Sequence, residues 1–171
     1  MQRYEHGGCL SRRFHPIPEG CVMHDARMVR AVEELYAEEL SAMAAASLRS
    51  MLCEPHDSAL SEAFHAQMCD EIAHVRVLGE LILALGGAPT LRAQIRVDCL
   101  RTHDAAREEP PLFLRTLAEG AWREKRRSVD RYQTILGRTQ DRVVRSLLLS
   151  LIDEEQRHAA YLRQICEQDK N

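Results

Sequence analysis

Glu-x-x-His occurs twice in the chain, as Glu71–His74 inside DEIAH and as Glu155–His158 inside EEQRH. Residues three apart on an α-helix share a face, so each motif sets a carboxylate beside an imidazole. The neighbours at helical spacing are apolar: Met68, Ile72, Val75 and Leu78 around the first motif, Leu151, Ile152, Ala159 and Leu162 around the second. A carboxylate buried alone costs several kcal/mol. Two such placements with the same spacing imply a shared cation.

A shared cation calls for matching acids on neighbouring helices. Each residue advances a helix by about 100°, so acidic positions can be tested against the apolar stripe. Residues 26–52 offer Glu33, Glu34, Glu38 and Glu39, and only Glu39 falls in line with Val32, Leu35/Tyr36, Met43 and Ala46. Residues 110–136 offer Glu119 and Glu124. Glu119 points nearly opposite the stripe, whereas Glu124 falls between Ala121 and Ser128, in line with Leu117 and Tyr132.

The expected set is Glu39, Glu71, His74, Glu124, Glu155 and His158, read as metal ligands and as the catalytic residues. Glu71 and Glu155 would bridge two ions, Glu39 and Glu124 would cap one each, and the histidines would ligate one each. Oxygen donors with one nitrogen per ion suit iron or manganese and are too oxygen-rich for structural zinc. A ligating histidine usually gives its other N–H to an outer carboxylate. Asp70 is expected to reach His158, and Glu154 to reach His74. Tyr36 and Tyr132 are read as core residues whose hydroxyls are in reach of a ligand carboxylate.

Four long helices must position these groups. Asp25 is a candidate cap for the first, which CEPHDS breaks at Pro55. Asp57 or Ser58 opens the second, with a stripe of Phe64, Met68, Ile72, Val75, Leu78, Ile82 and Leu85, and Gly86–Pro89 stops it. Pro110 and Pro111 open the third, and the turn Gly137–Asp141 leads to the fourth. The second and third are joined by about twenty residues, in which LRAQIRVDCLRTH offers a short helix before DAAREEPP closes it. A 20-residue helix is about 30 Å long, so this link can run the length of a bundle. The expectation is an all-α four-helix bundle of two antiparallel hairpins joined by a long crossover. Residues 1–24, without apolar period, are read as an irregular arm, and 25–171 as the bundle.

Composition agrees. Hydrophobic residues make up 45% and aromatics 5%, with Ala, Leu, Arg and Glu dominant. A net charge of -3 gives no basic field for nucleic acid or an acidic membrane. No apolar run is long enough to span a bilayer and no signal peptide is evident. Six scattered cysteines without a C-x-x-C pair indicate neither a zinc site nor a disulfide framework. A cytoplasmic location is expected.

On EELSAM, EIAHVRVLGELILALGGAP and IDEEQRHAAYL, residues 26–168 resemble the bacterioferritin/rubrerythrin branch of the ferritin-like superfamily. The resemblance implies a ferritin-like bundle with a di-iron or di-manganese site that reacts with dioxygen or peroxide, often as a ferroxidase, and dimers as building blocks. Bacterioferritins bind haem through a methionine just after the second-helix glutamate; Ile72 holds that place, and no haem is expected. The rubredoxin module and extra third-helix glutamate of rubrerythrins have no counterpart here. The crossover is longer than in bacterioferritins, a departure from cage formers.

The favoured function is a dinuclear, di-iron oxidoreductase of ferroxidase or peroxide-scavenging type. Its cofactors would be two iron ions (alternatively two manganese), and its partners Fe(II), O2 or H2O2, an unidentified electron donor, and further copies of itself in a homodimer or larger homo-oligomer. Alternatives are a manganese catalase and a di-iron oxygenase acting on an organic substrate. A non-enzymatic alternative, a helical interaction module with a buried salt-bridge network, needs basic side chains on the inner faces. The stripes as read here contain no arginine.

Overall fold

The computed structural model describes residues 26–90 and 110–168. The expected N-terminal arm, Asp25 and the short helix expected within 91–103 lie outside the described residues. Four helices are present: α1 (Ala26–Cys53), α2 (Ser58–Ala84), α3 (Pro110–Leu136) and α4 (Arg142–Gln168).

The boundaries follow from local chemistry. Asp57 caps α2, its carboxylate accepting the Leu60 N–H at 2.9 Å. Gly86 ends α2 in the left-handed conformation, with φ 79°, and the Gly87 N–H reaches back to the Ile82 carbonyl at 2.9 Å. A Cβ on Gly87 would lie 2.7 Å from Val29 Cγ1, so the start of α1 packs against bare backbone there. Asp141 opens α4 by accepting the N–H groups of Val143 and Val144 at 2.8 and 3.0 Å. Arg145 closes the same turn by donating to the Leu136 and Thr139 carbonyls.

α1 packs antiparallel to α2, and α3 to α4. Ser50 and Ser61 bind the first pair at its turn, each hydroxyl donating to the other's carbonyl. Across the hairpins, Leu60 and Phe64 from early α2 meet Phe113 and Leu117 from early α3. Leu78 and Leu81 from late α2 meet Tyr132 and Ile135 from late α3. α2 and α3 are therefore parallel, and the end of one and the start of the next lie at opposite ends of the bundle. This is the expected ferritin-like arrangement of two hairpins.

The interior has three layers. One apolar cluster holds Leu35, Leu78, Leu81, Tyr132, Leu148 and Leu151. The other holds Cys53, Leu60, Phe64, Phe113, Leu117 and Leu162. Each fully buried leucine or phenylalanine contributes about 1.5–3 kcal/mol, which offsets the cost of the polar layer between them. That layer consists of Glu39, Glu71, His74, Lys125 and Glu155, all almost fully buried.

Two stripes are turned relative to the sequence reading. On α2 the buried face runs Leu60, Phe64, Gln67, Glu71, His74 and Leu78, and Ile72 is 49% exposed. The apolar residues beside the motif broaden the apparent stripe, and the bundle buries the side carrying the charges. On α3 the buried line is Leu117, Ala118, Ala121, Lys125 and Tyr132. Among the described residues no helix is long and apolar enough to cross a membrane.

Candidate metal centre

Four helices deliver the polar layer. α1 supplies Glu39, α2 supplies Glu71 and His74, and α4 supplies Glu155. One donor atom from each of these four lies within 4.8 Å of the others. The His74 ring is held between two environments. Its Nδ1 faces the cluster, 3.4 Å from Glu39 Oε2, 3.3 Å from Glu71 Oε2 and 3.4 Å from Glu155 Oε1. Its Nε2 makes a 3.0 Å hydrogen bond with Glu154 across the bundle. The other outer pair expected from sequence is also formed: His158 Nε2 meets Asp70 Oδ2 at 3.0 Å.

His158 sits at the edge of the cluster. Its Nδ1 is 4.0 Å from Glu155 Oε1 and has no hydrogen-bond partner. A small cavity of about 40 Å³, on the order of one or two waters, opens beside it between Asp70, Gln67 and Tyr161. His158 lines it, whereas Glu39, Glu71, His74 and Glu155 do not.

Glu124, the acid expected from α3, does not join the cluster. Arg49 of α1 donates to both of its carboxylate oxygens at 2.7 Å. The neighbouring Lys125 points inward instead. Its ammonium donates to Glu71 Oε1 and, at 3.0 Å, to Glu155 Oε1. The inner faces thus carry two basic side chains, Arg49 and Lys125, at 1% and 2% exposure, where sequence reading expected no arginine. Lys125 was findable: it lies four residues after Ala121 and seven before Tyr132, the best phase on α3. Its charge masks that signal, because lysine is rarely buried.

The charges shape one another. Burial, reinforced by the Glu71 and Glu155 charges, pushes Glu39 up to about 8. Burial acts on Glu71 the same way, but the Lys125 ammonium and hydrogen bonds from Glu39 and His74 outweigh it and hold that carboxyl well below its usual range. His74 is pulled down by burial and more strongly up by Glu154, Glu155, Glu39 and Glu71, so it gains affinity for its proton. Tyr132 donates its hydroxyl to Glu39 Oε1 at 2.8 Å and is fully buried, which raises its own pKa.

Three carboxylates and one imidazole nitrogen form a donor set suited to one iron or manganese ion. Glu71 Oε2 and Glu155 Oε2 are buried without a partner in hydrogen-bonding geometry, although their charges face His74 Nδ1 at 3.3 Å and the Lys125 ammonium at 3.0 Å respectively. The residues present fit a single cation.

Solved structures with the same fold include bacterioferritins from three organisms. The Rhodobacter capsulatus bacterioferritin, described with a metal-free dinuclear site and haem iron, is 20% identical, covers 87% of this chain and 89% of its own, and has a TM-score of 0.72. The Mycobacterium tuberculosis bacterioferritin is 22% identical over 87% and 90% of the two chains, TM-score 0.72. The Desulfovibrio desulfuricans bacterioferritin, described through catalytic states of its diiron site, is 22% identical over 85% and 81%, TM-score 0.70. No curated protein sequence matches the chain. The family of the ferritin-like domain matches residues 30–171, and the chain belongs to that family.

Proposed function

We propose that this protein binds iron at the Glu39, Glu71, His74 and Glu155 cluster and oxidises it with dioxygen or peroxide, as a ferroxidase or peroxide scavenger. The observation that carries this reading is the convergence of four buried donors within 4.8 Å in a layer between two apolar clusters. The donor set also accepts manganese, and metal analysis of the native protein distinguishes the two.

Glu39, Glu71, His74 and Glu155 would hold the ion, and iron when bound supplies one-electron chemistry toward oxygen species. The protein does the rest. Glu154 fixes the His74 ring so that Nδ1 faces inward. Tyr132 orients Glu39 through its hydroxyl. The apolar clusters above and below exclude bulk water.

Chelator-treated protein mixed anaerobically with Fe(II) and then exposed to air is expected to develop the near-ultraviolet absorbance of bound ferric iron. Glu71→Ala, checked for helicity by circular dichroism, is expected to lose it. Full uptake and turnover in that variant would end the reading.

A second reading has specific support. Arg49 and Lys125 give the interior ion pairs that a non-enzymatic interaction module would need. In that case thermal unfolding would be indifferent to both chelator and added Fe(II).

A further inference from the structure

The interior contains a cation of its own. Lys125 reaches from α3 into the layer where Glu71 and Glu155 face each other and contacts both carboxylates, with its side chain 3% exposed. Two bridging carboxylates and a fourth acid would be required to balance a second dication. Here the bridging pair is already engaged by the ammonium, and Glu124 is bound by both oxygens to Arg49.

The two halves of the cluster are unequal as a result. On the His74 side three carboxylate oxygens lie 3.3–3.4 Å from Nδ1. On the His158 side, among the described residues, Glu155 Oε1 is the carboxylate oxygen near Nδ1, at 4.0 Å, while Asp70 lies on the Nε2 side. A second dication there would share Glu71 and Glu155 with the Lys125 ammonium, which already offsets one of their two negative charges, and would have one imidazole and a positive charge close by. Like charges at such range in a low-dielectric interior repel strongly.

Building on the proposed function, we propose that the protein holds one metal ion per chain, at Glu39, Glu71, His74 and Glu155, and that the Lys125 ammonium stands in for the second cation. The bundle then pairs a removable cation with a covalently fixed one. Such a site takes a single Fe(II) or Mn(II) ion where the Rhodobacter capsulatus and Desulfovibrio desulfuricans bacterioferritins are described with a dinuclear one.

The test is stoichiometry. Full-length protein, stripped with chelator and dialysed anaerobically against Mn(II) or Fe(II), is expected to saturate at one ion per chain. Lys125→Glu, which replaces the ammonium by a fourth carboxylate, is expected to saturate at two. Wild-type protein saturating at two ions overturns the role of Lys125 and leaves the iron-binding reading intact. Saturation at zero removes both. A folded Lys125→Glu protein that still takes one ion also overturns the role of the lysine. If that variant does not fold, anomalous scattering from Mn(II)-soaked wild-type crystals decides: one peak with Lys125 still between Glu71 and Glu155 supports the proposal, and two peaks overturn it.

Discussion

The two hairpins use the same vocabulary differently. Each carries Glu-x-x-His on its second helix, preceded by an acid that crosses to the opposite histidine. In the first hairpin, α1 adds Glu39, which is buried, bonded to Tyr132 and turned toward His74. In the second, α3 adds Lys125, and its acid Glu124 leaves for Arg49. The histidines differ accordingly: the His74 side chain is sealed, whereas that of His158 is 13% exposed beside a cavity. Repetition of a motif therefore does not guarantee repetition of a site. The helix that supplies no motif decides what each motif can do.

Breaking the asymmetry at its source has the largest effect. Lys125→Ala strands Glu71 and Glu155 in the interior, and removing one partner of a buried ion pair costs about 3–5 kcal/mol. Urea unfolding of chelator-treated protein is expected to show that loss, with Fe(II) or Mn(II) restoring part of it. A variant as stable as wild type would mean that Lys125 does not neutralise the cluster.

The two outer acids sharpen the contrast. Loss of a carboxylate behind a ligating histidine typically weakens metal binding about 10–100-fold. Glu154→Gln, behind His74, is expected to fall in that range by Mn(II) titration, whereas Asp70→Asn, behind the unengaged His158, is expected to leave affinity within about 3-fold, below that range. Equal losses would make the two sides equivalent. Glu154 also has a pH signature. Its hydrogen bond to His74 lowers its pKa below the ordinary 4.5, so its contribution to stability is present above that value and lost as pH falls through the lower folded-state value. Glu154→Gln is expected to lack that portion of the acid-side loss in unfolding curves.

Smallest is Tyr132→Phe, which removes the hydroxyl that donates to Glu39. A single buried hydrogen bond is worth about 1 kcal/mol, and thermal unfolding is expected to register that much without loss of the metal ion.

Much of this was legible from residue order. Helix number, the stops at Pro55 and Gly86, and the meeting of Glu39, Glu71, His74 and Glu155 follow from spacing, because carboxylates at apolar phases are rare enough to be informative. The crossed pairs Asp70–His158 and Glu154–His74 also follow, from the habit of histidine of using both nitrogens. α3 was harder. Glu124 and Lys125 are adjacent, 100° apart on the helix, and either can be drawn inward by a modest rotation. What turned α3 was Arg49, a buried guanidinium from another helix that captured Glu124 and that no local pattern announces. Ile72 misled for a related reason: an apolar residue beside an acid reads as interior, although α2 turns it to solvent.

The charged layer separates two apolar ends, one around Leu81 and Leu148 and the other around Phe64 and Leu117. Phe64 and Leu162 belong to one of these ends and also line the cavity beside His158, so that cavity is bounded by the Phe64 end and not by the distant leucines.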